Sequence, residues 1–238
     1  MKLATNVTDY ADGDLGMVEL CASYAHDRTM QQWSKSEWIA YLNRSQLSIA
    51  NKINSLYETY FLKSATTPTV DDQETYSLPT DLIHLMGIEV ADSTTDGEPM
   101  ELAEIHFTQR NFFTELQKAN DKVSGDVFFV QGQNIRPMPN YADGSVIRTY
   151  YVKRLPDLAS DDDESEIPSE HHELICLGAV RRARAKFDSP NAEIDRLYAE
   201  GLMDLEKSIA KFSPQRKETI RPFYGSFGPD SDAGFWMR

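Results

Sequence analysis

Residues 34–64 read SKSEWIAYLNRSQLSIANKINSLYETYFLKS, and the period of that stretch decides how the rest of the chain must fold. Ser34 and Glu37 stand at capping-box spacing, in which a hydroxyl and a carboxylate satisfy the amides left unpaired at a helix start. Behind them Trp38, Leu42, Ile49, Ile53, Leu56 and Tyr60 recur at helical intervals, with Ile39, Tyr57 and Phe61 widening the stripe. The pattern predicts one long amphipathic helix to about Lys63, whose broad apolar face other elements must cover.

Three further segments can supply that cover. Upstream, DLGMVELCASYAH suits a shorter helix, weakened by Gly13 and Gly16. Downstream, a helix opens at Ser169 with Ile175, Ala179, Ala183 and Phe187 as a narrow four-spaced stripe, while Arg181, Arg182, Arg184 and Lys186 take other faces. A second helix follows from Ser189-Pro190, a cap and a first-turn proline, and carries Ile194, Leu197, Tyr198, Leu202, Leu205 and Ile209. The tight corner between them predicts an antiparallel helix hairpin.

Between these helices the period changes. Thr66 to Asp72 reads as a loop with Pro68; ETYSLPTDLIHLMGIEV holds an edge-type segment limited by Pro79 and then a strand from Ile83 to Val90. A polar turn, STTDGEP, precedes AEIHFTQRNFFTELQKAN, where Ile105, Phe112, Phe113 and Leu116 suggest a short helix. In VFFVQGQNIRPMP two short strands meet at Gly132-Gln133, with glycine in the first central position of a type II′ turn. Asp143-Gly144 then turns the chain into SVIRTYYVKRL, with Val146, Tyr150 and Val152 on one side and Ile147 and Tyr151 on the other, so that both faces meet protein. The acidic stretch DLASDDDESEIP is expected to be a solvated loop.

The class that results is α+β: a helical bundle core, made of the long N-terminal helix and the C-terminal hairpin, with a small antiparallel β subdomain and an extended C-terminal arm. The folded unit is residues 1–212, with its helical core at 14–63 and 169–212 and its strand-rich middle at 74–155, and the arm is 213–238. That arm, SPQRKETIRPFYGSFGPDSDAGFWMR, has neither helical nor strand period.

A chain of 238 residues with 40% hydrophobic and 26% charged residues can bury an ordinary core. Its 24 Lys+Arg against 38 Asp+Glu give a formal charge of −14, which argues against gripping a phosphate backbone, since that binding rests on counterion release by basic side chains. Cys21 and Cys176, far apart in sequence, neither staple a small fold nor approach zinc-site spacing, so reduced thiols are expected. The start lacks an apolar leader and no segment reaches the length of a membrane span.

Catalytic readings find no support in the motifs. His171-His172-Glu173 places its histidines about 100° apart on a helix, whereas a metalloprotease helix needs them four apart. Asp161, Asp162, Asp163, Glu164 and Glu166 lack the glycine of a calcium loop and the rigid cleft that would raise one carboxyl pKa. No phosphate loop, dinucleotide fingerprint or nucleophile elbow is present. Neither cofactor nor metal is expected. Arg181, Arg182, Arg184 and Lys186, the one dense basic cluster, are read as partners for nearby acids or for a neighbouring subunit.

In order along the chain, LNRSQLSIANKI, TYSLPTDLIHLMGIEV, VQGQNIRPMPNYADGSVIRTYYVKRLP and IPSEHHELICLGAVRRARAKFDSPNAEIDRLYAEGLMDLE resemble the head-to-tail adaptor (connector) proteins of tailed bacteriophages, especially the tail tubular protein A type. The resemblance spans about Leu42 to Glu206 and rests on the order of short motifs: Y-x-L-P-x-D before a strand, G-x-x-I-x-x-x-P at a hairpin, P-x-E-x-H-E-L-I opening a helix. It implies a structural virion protein without an active site, a twelve-fold ring under the portal protein in the neck between capsid and tail, assembled in the host cytoplasm. Such a ring extends the channel through which packaged DNA passes without specific binding, and it carries the tail nozzle protein and tail fibre. Some relatives have been linked to cell-wall hydrolysis, so a peptidoglycan hydrolase stands as an alternative, as does an acidic DNA-mimicking regulator.

Within that reading the arm is a portal-docking segment, with Arg216, Lys217 and Arg221 for carboxylates and Phe223, Tyr224, Phe227, Phe235 and Trp236 for pockets; the competing reading folds it back over its own helices. Subunit contacts are expected at Arg181, Arg182, Arg184, Tyr150 and Tyr151.

Overall fold

A computed structural model of the chain describes residues 1–3, 15–91, 99–119 and 126–212. The arm residues Arg216, Lys217, Arg221, Phe223, Tyr224, Phe227, Phe235 and Trp236 lie outside the described residues, as does most of the turn at STTDGEP. The described chain is mixed α+β, with helices α1 (Met17–Tyr24), α2 (Lys35–Leu56), α3 (Arg110–Ala119), α4 (His172–Ala185) and α5 (Ala192–Phe212). No helix among the described residues is long and apolar enough to cross a membrane.

Both halves of the expected capping box form at α2: Glu37 N–H donates to Ser34 Oγ, and Ser34 N–H donates to Glu37 Oε2 at 3.0 Å. The helix nevertheless stops at Leu56, not near Lys63. Tyr57 turns to extended backbone (φ −145°, ψ 95°), and Leu62–Pro68 becomes a strand. Tyr60 and Phe61 mimic the helical period because the tight turn also sends them inward; Phe61 is buried in the helical core. The loop read from Thr66 is therefore partly strand.

Around Trp38, Leu42, Ile49 and Ile53 of α2 gather Met17, Val18 and Cys21 of α1, Ile175, Ala179 and Ala183 of α4, and Leu205 and Ile209 of α5. The narrow stripe expected on α4 is a nearly complete girdle instead, with His172, Leu174 to Val180 and Ala183 all buried, because α1, α2 and α5 pack on it from three sides. Gly178 marks the closest approach. A Cβ there would lie 2.2 Å from Ser45 Oγ and 3.1 Å from the Tyr198 ring. Phe187 lies beyond the helix, 53% exposed, with its edge toward Trp33.

The second C-terminal helix starts later than Ser189-Pro190. Asn191 is its cap, its Oδ1 accepting the amides of Glu193 (3.0 Å) and Ile194 (3.4 Å), while Ser189 closes the preceding turn onto the Arg184 carbonyl. Cys21 and Cys176 are brought together: both are fully buried and reduced, Cys21 Sγ lies 3.7 Å from the Cys176 carbonyl, and burial pushes the Cys21 thiol pKa up.

Between α1 and α2 the chain is held by one carboxylate. Asp27 accepts the amides of Gln31 and Gln32 at 2.8 Å and of Trp33 at 3.1 Å, in a turn where His26 and Met30 both take left-handed φ. Its burial opposes ionisation, but the three amides together hold the carboxyl below its ordinary value. Asp27→Ala is therefore expected to lower unfolding free energy by about 2 kcal/mol, as loss of a multiply bonded cap does. A pKa lowered on folding contributes stability above the unfolded value, about 4, that is lost as pH falls through the folded value. The variant's denaturation midpoint should accordingly fall at pH 7, with the difference narrowing in acid.

The strands are β1 (Leu62–Pro68), β2 (Tyr76–Ser77), β3 (Leu82–Ala91), β4 (Pro99–Glu104), β5 (Val127–Gln131), β6 (Asn134–Met138) and β7 (Val146–Lys153). They make one seven-stranded sheet in the order β1-β7-β3-β4-β5-β6-β2. This corrects the expectation of a small antiparallel subdomain: β4 pairs with β5 in parallel, and β1 and β4 come from stretches read as loop and helix. Ile105 follows β4 and does not enter a helix; α3 begins only after a short 3-10 turn at Phe107–Gln109, capped by His106. The β5–β6 hairpin has the two-residue turn expected, with Gly132 at φ +64° and Gln133 not at positive φ. Gly144, at φ +89°, precedes β7.

β7 lies between β1 and β3, and its two faces differ. Ile147 joins Ile88, Val90, Leu102, Phe128 and Ile135 in a sheet core, while Val152 belongs to the helical core, so β7 links the two.

The acidic stretch is tied down more than a solvated loop would be. Lys35 pairs with Asp161 (2.7 Å), Lys2 with Asp162 (3.0 Å) and Lys153 with Glu166, while Asp163 Oδ2 accepts the amides of Ala159 and Ser160. Leu158 and Ile167 are buried beneath it.

Candidate functional site

Register on the β7–β3–β4 sheet builds one open polar face. Tyr150 stands opposite Gly87 on one side and Ser64 on the other, and Arg148 opposite Glu89. Glu89 in turn stands directly opposite Glu101 of β4. Like charges in direct cross-strand register repel, so the arrangement needs a cation nearby. Arg148 meets Glu89 at 3.6 Å, and Tyr150 Oη donates to Glu89 Oε2 at 2.9 Å. No hydrogen bond or ion pair reaches the Glu101 side chain among the described residues.

Beside this pair is a hollow of about 240 Å³ walled by Leu62, Met86, Gly87, Glu101 and Tyr150. Its floor is open because Gly87 has no side chain and a Cβ there would meet nothing within 4 Å. Leu62 is 46% exposed and Met86 37%, so the rim is apolar where the floor is charged. Chemically this face can take a cationic side chain: a carboxylate for the head, Leu62 and Met86 for the stem.

The predicted contact residues are dispersed. Tyr150 stands on the open sheet face. Tyr151 points to the other face and is fully buried, its hydroxyl donating to Asp81 (2.9 Å), which Lys63 also holds at 3.0 Å. Burial would raise the Asp81 carboxyl pKa, but these two donors together bring it below the ordinary range. Arg181 pairs with Asp195 and lies 4.5 Å over the Tyr198 ring. Arg184, half-buried, donates to the carbonyls of Tyr24 (3.3 Å) and Ala25 (3.5 Å) and so caps the end of α1. Arg182 is exposed and makes no ion pair or hydrogen bond among the described residues. None of the three arginines pairs with the acidic stretch, which enters α4 at its start, whereas Arg182 stands roughly 15 Å along the axis.

Sequence reading missed Glu89, Glu101, Met86 and Gly87. Their juxtaposition depends on strand register, including the irregularity between Leu85 and Gly87, which no local pattern encodes.

The adjacent histidines part company. Nε2 of His172 lies 2.7 Å from the Ile167 carbonyl and its Nδ1 3.0 Å from the Met1 ammonium, whereas His171 lines a groove with Asp204, Lys207, Ser208 and Lys211 of α5's C-terminal half. Among the described residues no three His, Cys, Asp or Glu gather to hold a metal. Burial, aided by the Met1 ammonium and opposed by the Ile167 carbonyl, pulls the His172 pKa below its usual value. A histidine depressed on folding contributes stability that is full above the unfolded value, about 6.5, and lost as pH falls toward the folded one. Thermal melts should therefore show a loss as pH falls below about 6.5, and His172→Gln should flatten it.

Compared with known proteins, the chain matches the family described as SU10 adaptor protein over residues 8–221. No curated protein matches it.

Proposed function

The chain belongs to the SU10 adaptor protein family, a structural phage adaptor family, and on that premise we propose that it is a head-to-tail adaptor of the tail tubular protein A type. It forms a twelve-fold ring beneath the portal protein in the virion neck, extends the DNA channel, and offers a platform to tail nozzle and fibre. It has no catalytic role and needs no cofactor.

The family match over residues 8–221 supports the adaptor part of this reading, and the order of short motifs from Leu42 to Glu206 favours the tail tubular protein A type. The open sheet face supports it: a Glu101 carboxylate without a partner among the described residues, with an apolar rim on one surface, and an exposed guanidinium at Arg182 on another, suit a heterologous contact repeated around a ring. The subunit-contact residues proposed are Arg181, Arg182, Arg184, Tyr150 and Tyr151, of which Tyr150 stands on the open sheet face and Arg182 is exposed. The arm, 213–238, docks along the portal through Arg216, Lys217, Arg221 and its aromatic residues. In this reading part of the chain's net charge of −14 faces the channel, where negative potential would repel DNA phosphates over a Debye length of about 8 Å at physiological salt.

Purified subunits mixed with isolated portal rings, weighed by mass photometry, test the proposal. Complexes heavier than portal by one ring of subunits are expected; subunits that stay free at micromolar concentration would refute it.

A further inference from the structure

We propose that the hollow over Gly87 on the open sheet face takes the Arg182 guanidinium of a second copy of this chain, with the Phe187 ring of that copy resting on the hollow's apolar rim. Arg182 is exposed and makes no hydrogen bond or ion pair among the described residues. Its neighbours leave it as the net charge at that end of α4: Asp195 neutralises Arg181, Glu37 neutralises Lys186, and Arg184 balances Asp188 on the wall of one small pocket. Phe187 follows just past the end of α4 and is 53% exposed. An arginine and an aromatic ring left open side by side are the residue types that anchor interfaces.

The hollow carries the complementary chemistry. Arg148 answers Glu89 at 3.6 Å, so Glu101, directly opposite Glu89, is the carboxylate left over, and Glu58, paired only with His84, adds to the negative potential. With no side chain at Gly87 the floor stays open, and about 240 Å³ is free between Glu101 and Tyr150. A guanidinium is planar and forked, so it meets the Glu101 carboxylate through two N–H groups while its weakly hydrated face lies along Tyr150. Leu62 and Met86 then receive Phe187. The register of Glu89 against Glu101 costs the free subunit stability, since like charges face each other across the strands, and the second copy's guanidinium turns that repulsion into attraction.

The two surfaces cannot meet within one chain. Lys186 pairs with Glu37 in the first turn of α2, whereas Thr59 and Leu62, just past the end of α2, line the hollow. The length of α2 holds them roughly 30 Å apart. Complementary patches at opposite ends of one molecule make a head-to-tail contact, which repeats from copy to copy until the rotation closes it. That it closes as a ring rests on the adaptor reading proposed above; the contact itself does not. Arg44 and Lys211 are also exposed and without partners among the described residues, but Lys211 lacks the planar fork, and Arg44, in the middle of α2, has no exposed aromatic ring beside it.

Sedimentation velocity of the full chain over a concentration series, alone and on isolated portal rings, tests the contact. The parent is expected to associate with itself, more weakly as salt rises. Glu101→Arg and Arg182→Glu should each weaken association by roughly tenfold or more. An equal mixture of those two chains, in which every contact again joins opposite charges, should recover it. Glu101→Gln should associate less and yet melt no lower than the parent, which a merely structural role for Glu101 would not give. Arg44→Glu should change little. A parent that does not associate with itself in either setting would overturn the proposal. So would a mixture no better than its components, or a loss with Arg44→Glu that Arg182→Glu does not produce. Chains that associate through these residues but ignore portal would refute the adaptor reading and leave the contact standing.

Discussion

Ending the chain after Phe212 is expected to leave a folded, cooperatively melting subunit that binds portal rings at least a thousandfold more weakly than the full chain. Among the described residues the helical core closes with Leu205 and Ile209 of α5, and the sheet core lies wholly upstream. The removed segment holds five large aromatic residues and Arg216, Lys217 and Arg221, the residue types that dominate protein interfaces. Two such side chains acting as hot spots at about 2 kcal/mol each already amount to roughly a thousandfold. A ring multiplies the effect, because once one arm is docked the others bind at high effective concentration. Sedimentation of the shortened subunit with portal rings measures it; unchanged co-sedimentation would remove the arm from the docking account.

Trp38→Ala carries the second large effect, here on stability. Trp38 has no exposed surface and meets Trp33 at 5.3 Å and Tyr41 at 6.3 Å between ring centroids. Truncating a fully buried tryptophan removes its transfer free energy and leaves a cavity, together about 4 kcal/mol. For a chain of this size that corresponds to a fall in Tm of about 10 °C. Trp38→Phe should lose much less, since it keeps the ring contact and removes an indole N–H that has no partner among the described residues. A calorimetric scan in which Trp38→Ala melts within 3 °C of the parent would contradict the packing described for α2.

Both effects were differently visible in the sequence. Trp38 announces itself: it stands one turn after a capping box, at the head of a stripe, and the helix forms there because every local preference agrees. The same holds for the β5–β6 turn, where glycine at positive φ is required, and for the apolar stripe of α5. Local rules failed where two structures share one pattern. Tyr57, Tyr60 and Phe61 satisfy a helical period and yet close a turn into β1, where Leu62–Pro68 pairs residue by residue with β7 while Phe61 still enters the helical core. Asn191 displaced Ser189 as a cap because its side chain reaches two amides while Ser189 is drawn to Arg184.

The sequence by itself determined the capped helix at Ser34, the apolar faces that must meet, the two-residue hairpin, and the family resemblance carried by the order of those elements. The tertiary structure alone decided the β order, the parallel β4–β5 pairing, the meeting of Glu89 with Glu101 over Gly87, and the groove beside Lys211. The reason is physical: a helix and a turn are fixed by residues within about four of each other, whereas register, cross-strand charge and the space between two helices depend on residues tens of positions apart, whose alignment is set by the packing of the whole core.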